Sequence, residues 1–281
     1  MYEFISAPHI QLALIIGITL ALGAAFLSPF LVLNGEALIA DGLAHTSFLG
    51  FTIGIALAGQ PVWIAIIIAV IAALVIKLLV NKLKVNADSA IGIIAAVSFA
   101  VGLIIIHKSR GFNVSIEEIM AGSILTTQIS DVILALVVVI TIVLFVLLNY
   151  RRLFSVVYDY EYAQFTKIKA TIISYLLSIL TAVFIVIGVR VIGTLLISAL
   201  IIFPALSASV LKLSFKKTFI IGIIISLIAM LTGITSSHFL DVPTGAFVVV
   251  VNAVILIMLL LFTFIKRRVK SWLLKWQNQD N

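Results

Sequence analysis

Runs of about 20 apolar residues recur from Gln11 to Ile265, parted by short polar stretches, and this spacing leaves the chain little choice of fold. In hydrocarbon every backbone N–H and C=O must find its partner inside the chain, so each run is predicted to be a helix. Read with a window of about 19 residues, the spans fall near 11–33, 37–59, 61–81, 88–106, 132–149, 170–189, 191–211, 218–236 and 245–265. The chain is 63% hydrophobic and 10% charged, whereas about a quarter of a soluble domain is charged. The expectation is an all-α polytopic membrane protein of about nine transmembrane helices, with residues 1–281 forming a single transmembrane domain. The first run is longer than a signal-peptide core and has no Lys or Arg before it, so it is read as a retained span. With no cysteine present, disulfides and thiolate ligands are excluded, and any metal must be met by His, Asp, Glu or backbone oxygen.

In a soluble protein a net charge of +7 would suggest nucleic acid. Here the basic residues punctuate the apolar runs and set topology instead. Under nine spans, one side collects fifteen Lys and Arg, among them Lys77, Lys82, Lys84, Arg151, Arg152, Lys212, Lys216, Lys217 and Lys266. The other collects three: Lys108, Arg110 and Arg190. The positive-inside rule then places the N-terminus outside and the C-terminus in the cytoplasm. The basic tail KRRVKSWLLKW is expected to lie on the anionic inner leaflet.

Two polar stretches exceed what a hairpin requires. Lys108 to Ser130 contains Glu117 and Glu118 before an apolar turn and reads as a short helix at the outer surface. Tyr150 to Lys169, with YDYEYAQF, reads as a short amphipathic helix on the cytoplasmic face.

No phosphate-binding loop, HExxH or Gly-x-Ser-x-Gly pattern occurs, so transport rather than catalysis is indicated. Within the second span, Asp41 and His45 stand four residues apart, which puts a carboxylate and an imidazole on one helical face. At 1.5 Å per residue they lie about 6 and about 12 Å along the span. Ionisable residues inside a membrane carry a functional expectation because they are costly there, and this N/O pair suits Zn(II), Mn(II) or Fe(II). The competing reading is a helix-capping Asp41 and a His45 bonded to a carbonyl. His238 and Asp241, near the outer end of the eighth span, form a weaker candidate for outer capture of a cation; Asp241-Val242-Pro243 is equally a helix-initiating turn. The seventh span, GTLLISALIIFPALSAS, has small residues that allow close helix contact, and Pro204 is expected to break it. It leads into the basic and apolar segment Leu211 to Lys217.

These patterns resemble the membrane permeases of ABC importers for zinc and manganese, over essentially the full length. The likeness rests on DGLAHTSFLG, AGSILTTQISD, VIGTLLISALIIFPALSAS and LDVPTGAFVVVV in that order. From Gly193 onward the chain is also similar to permeases of iron-siderophore and cobalamin importers, which implies a type II ABC importer-like fold. The resemblance implies that Leu206 to Lys217 docks into an ATPase, with Leu206, Leu211, Lys212, Phe215, Lys216 and Lys217 at the contact. It also carries Asp159, Glu161 and Ala163 of YDYEYAQF onto a second cytoplasmic contact. Lys167 stands where a Gly is usual, and Asn34-Gly35-Glu36 stands where basic residues are frequent.

The resemblance further implies a homodimer in the bacterial cytoplasmic membrane, two ATPase subunits and an extracytoplasmic metal-binding protein. It implies no permanently bound cofactor and no nucleic-acid partner; Zn(II) or Mn(II) would be the cargo. Phe48-Leu49-Gly50 lacks the Pro that manganese and iron members often place before that Gly, which favours Zn(II). Import of Mn(II) or Fe(II), a proton-coupled secondary transporter, and a membrane scaffold stand as alternatives.

Overall fold

The computed structural model describes residues 8–57, 60–109, 128–166 and 169–277. Every regular element among them is helical: α1 Pro8–Leu33, α2 Ile39–Ala56, α3 Pro61–Asn81, α4 Ala87–Lys108, α5 Ile129–Tyr158, α6 Tyr160–Phe165, α7 Ala170–Ser209, α8 Phe215–Leu240 and α9 Thr244–Gln277. Eight of these, all but α6, are long and apolar enough to cross a membrane. The expected outer helix between Lys108 and Ser130 falls largely outside the described residues.

The expected boundary at Arg190 falls inside one continuous 40-residue element, α7, and lies three residues before its bend at Gly193. As a straight rod it would be about 60 Å long, twice the hydrocarbon thickness of about 30 Å. It is not a rod. Gly193 has φ 83° and ψ 169°, a backbone region that essentially only glycine enters. A Cβ placed on Gly188 would overlap the Ile197 side chain, although nine residues of continuous helix would hold the two about 13 Å apart. The chain therefore doubles back at Gly193, and α7 is a hairpin of two arms, which restores the nine apolar segments read from the sequence.

The break expected at Pro204 does not occur, and the helix runs on to Ser209. A proline removes one N–H and crowds the preceding turn. Ser28 of α1 repairs the site: its hydroxyl donates to the Ile201 carbonyl and accepts from the Ala205 N–H at 3.2 Å. The side chain thus bridges the donor and acceptor that would otherwise bond directly.

α7 is the hub, packed against α1, α2, α3, α5, α8 and α9, while α4 rests on α2 and α3. Close approach of α2 and α3 depends on Gly50, where a Cβ would collide with the Ala65 backbone. Faces turned away from the hub remain apolar and exposed, as with Trp63, Ile67, Ile71, Val75 and Leu78 along α3. These are the surfaces a bilayer covers.

At the end of the bundle that carries most of the Lys and Arg, Phe26, Phe30, Tyr150, Phe154, Phe215 and Phe219 form an aromatic cluster, with Phe154 and Phe215 centroids 4.9 Å apart. The fifth span is longer than expected, since α5 continues through Arg151 and Arg152 to Tyr158 before α6 begins. α6 is the short helix anticipated in YDYEYAQF. Beyond Ile265 the basic tail continues α9 as helix to Gln277 and forms no separate element.

Candidate functional site

α2 is enclosed on almost every side. Ala40, Gly42, Leu43, Ala44, Thr46, Ser47, Phe48 and Gly50 are buried, and the Thr46 and Ser47 hydroxyls fold back onto the Leu43 carbonyl at 2.8 and 2.7 Å. One stripe stays open, running through Asp41, His45, Leu49 and Ile53 at the helical spacing of four. The two ionisable residues of the helix occupy its first half.

Their side chains meet, with His45 Nε2 3.9 Å from Asp41 Oδ2 and relative exposures of 25% and 60%. Two donors on one tetrahedral ion with bonds of about 2.1 Å stand about 3.4 Å apart, so a small shift lets both reach a single cation. Asp41 also lies in the first helical turn, where a negative charge is favoured by the helix dipole; it makes no side-chain cap, since the N-cap residue is Leu38. His45 does not bond a carbonyl either. Its Nδ1 is buried without a hydrogen-bond partner, and the ring is oriented by edge contact with Phe99 of α4, centroids 5.0 Å apart. Among the described residues no group of three or more His, Asp or Glu side chains gathers to hold an ion. Asp41 and His45 are a two-donor arrangement on one copy of the chain.

His238 and Asp241 are at the opposite end of the bundle. His238 is in the last turn of α8, and Asp241 ends that helix in a left-handed conformation with φ 52°; both are exposed. α8 packs on α1, α7 and α9, whereas α2 packs on α3, α4 and α7, so the two candidate pairs occupy separate regions.

The segment after Pro204 is the end of α7 followed by a turn in which Lys212 has φ 52°. Lys212, Lys216 and Lys217 are exposed, and so is Leu206. Phe215 is instead held in the aromatic cluster against Phe30 and Phe154. On α6, Asp159 caps the helix by accepting from the Tyr162 N–H at 2.9 Å and Glu161 is exposed, but Ala163 is fully buried. The Ala163 methyl packs α6 onto the bundle.

Sequence reasoning missed two ion pairs. The charge distribution groups Lys77 with the loop residues, yet it is 2% exposed and bonded to Glu36 Oε1, with the Glu36 side chain 1% exposed. Asn34 Nδ2 donates to the same oxygen at 2.8 Å. The available signal was a lysine inside the run VIKLLV, one helix away from a lone glutamate. Without Lys77 the charge asymmetry persists. At the other end Arg190 pairs with Asp131 at 3.1 Å, tying the N-terminus of α5 to the bend of α7.

Eight apolar helices of membrane-spanning length among the described residues define a polytopic membrane protein, and the ionisable pair on the open stripe of α2 is its candidate site. The chain belongs to the ABC 3 transport family, whose model matches residues 6–263. It is 28% identical over 261 residues to the manganese transport system membrane protein MntC of Halalkalibacterium halodurans, covering 93% of this chain and 89% of the relative. It is also 28% identical over 246 residues to the high-affinity zinc uptake system membrane protein ZnuB of Haemophilus influenzae, covering 88% and 94%. Among solved structures, PsaBC from Streptococcus pneumoniae in complex with Fab superposes with a TM-score of 0.79 at 25% identity, covering 92% of this chain and 94% of that one.

Proposed function

We propose that this chain is the membrane permease of an ATP-driven importer for a divalent transition-metal cation, with Zn(II) as the cargo. The observation that carries the reading is the open stripe of α2: a carboxylate and an imidazole 3.9 Å apart on the one uncovered line of that helix cannot be left against lipid without cost. A second copy of the chain presenting the same stripe would supply two more donors and enclose a four-donor path between the copies. Such a site holds the ion weakly enough to release it, as permeation requires. Membership of an ABC family supports ATP hydrolysis on a separate cytoplasmic subunit, docked at Leu206, Leu211, Lys212, Lys216 and Lys217 and beside Asp159 and Glu161. An extracytoplasmic protein would deliver the ion on the side of His238 and Asp241, with the N-terminus outside and the basic end in the cytoplasm.

Mn(II) is the second reading. The manganese relative MntC and the zinc relative ZnuB are each 28% identical to this chain, over 261 and 246 residues, and the absence of a Pro in Phe48-Leu49-Gly50 is what favours zinc. The deciding experiment is metal uptake by cells lacking the native gene and expressing this chain with its ATPase. Asp41→Ala and His45→Ala are expected to abolish rescue by Zn(II) while leaving complex assembly intact. Rescue by Mn(II) alone would reassign the cargo, and normal uptake by both variants would remove the pair from the path. Lys216→Glu with Lys217→Glu is expected to weaken retention of the ATPase on pull-down. Uptake without any ATPase would instead indicate a proton-coupled carrier.

A further inference from the structure

The Glu36–Lys77 pair borders a cavity of about 60 Å³ whose wall includes Asn34, Asn81, Tyr160 and Ser174. One water needs about 10–15 Å³ of such space and two or more polar partners. The partners are present: Glu36 Oε2 and Asn81 Nδ2 are both buried without a hydrogen-bond partner in the protein. One is an acceptor and the other a donor, so a water between them satisfies both. Glu36 and Lys77 cancel in charge, which favours a neutral occupant over an ion.

The position of this chamber matters more than its size. Glu36 sits in the turn that starts α2, five residues before Asp41. Tyr160, the first residue of α6, also lines the chamber, and its hydroxyl is 3.1 Å from Thr171 Oγ1 of α7. Val156 and Val157 from the last turn of α5 line it as well. α6, the end of α5 and the segment that leads into α2 therefore border one chamber.

We propose that Glu36 and Lys77 are positioning residues for Asp41 and His45, bridged by water to Asn81, so that the chamber relays the placement of the cytoplasmic helix α6 to the first turn of α2. The inference rests on the reading of Asp41 and His45 as the metal path. A buried charge pair with defined hydrogen bonds holds the segment before α2 in one geometry against α3, the directional use such pairs are best known for.

The test uses the complete transporter, this chain with its ATPase, reconstituted in liposomes and assayed for ATP-driven Zn(II) and Mn(II) uptake. Glu36→Gln combined with Lys77→Met removes the charges together and avoids a lone buried ion. Asn81→Leu keeps the ion pair and fills the chamber. Both are expected to assemble at the wild-type yield and to raise KM for the metal at least about fivefold, while Lys77→Arg, which keeps the donor, stays within about twofold. A charge-free double variant or an Asn81→Leu variant that assembles with the wild-type KM overturns the proposal, as does a double variant that fails to assemble. Asp41→Ala in the same assay separates the two levels: unchanged uptake there defeats the metal-path reading itself, whereas lost uptake alongside a wild-type KM for the chamber variants defeats only the relay.

Discussion

Ser28 on α1 substitutes for a rung of the α7 ladder at Ala205, accepting its N–H at 3.2 Å while donating to the Ile201 carbonyl. The helix that carries the exposed lysine segment at its end is thereby kept whole through Pro204 by a hydroxyl from a different part of the chain. Both hydrogen bonds are buried, where water cannot replace them.

Ser28→Ala is expected to lower stability by about 1–3 kcal/mol, the penalty for a buried backbone group left unmade. In a Pro204→Ala background the same change should cost less, because an unkinked ladder can reclose between Ala205 and Ile201. Thermal unfolding of the detergent-solubilised protein measures both; equal losses in the two backgrounds would mean that the hydroxyl does not act on the proline site.

Gly193→Ala addresses the α7 hairpin. At φ 83° and ψ 169° a Cβ is strained by about 1–3 kcal/mol. Reduced yield of folded protein is the expected outcome, with the surviving fraction more sensitive to protease near Arg190. An alanine variant with unchanged stability would show that the bend is not strained there.

Topology can be read chemically because the chain contains no cysteine. A single cysteine at Lys216 is expected to react with a membrane-impermeant maleimide only after permeabilisation, and one at Asp241 to react in intact cells. The reverse pattern would invert the orientation inferred from the distribution of Lys and Arg.

Phe99→Ala removes the edge contact that orients His45. Aromatic pairs of this geometry contribute about 0.5–1.5 kcal/mol, so a rise in the KM for metal uptake of about two- to tenfold is expected, with assembly unchanged. A wild-type KM would mean that the imidazole is oriented by its own helix alone.

Apolar run length and charge placement determined the membrane class, the all-helical fold and the positions of the spans, because hydrocarbon admits few backbone solutions and each is local. The Asp41–His45 pair was legible for the same reason: four residues on a helix is a local relationship. The tertiary structure alone decided that Lys77 is a buried partner of Glu36, that Phe215 belongs to an aromatic cluster and that Pro204 leaves α7 unbroken. Each of these depends on contacts between residues distant in the chain, Lys77 with Glu36 or Ser28 with Ala205. Helical periodicity relates neighbours within a turn or two and carries no information about which helices meet. The uncovered stripe of α2 is the plainest case: the sequence places Asp41 and His45 on one face, and only the packing of α3, α4 and α7 leaves that face open.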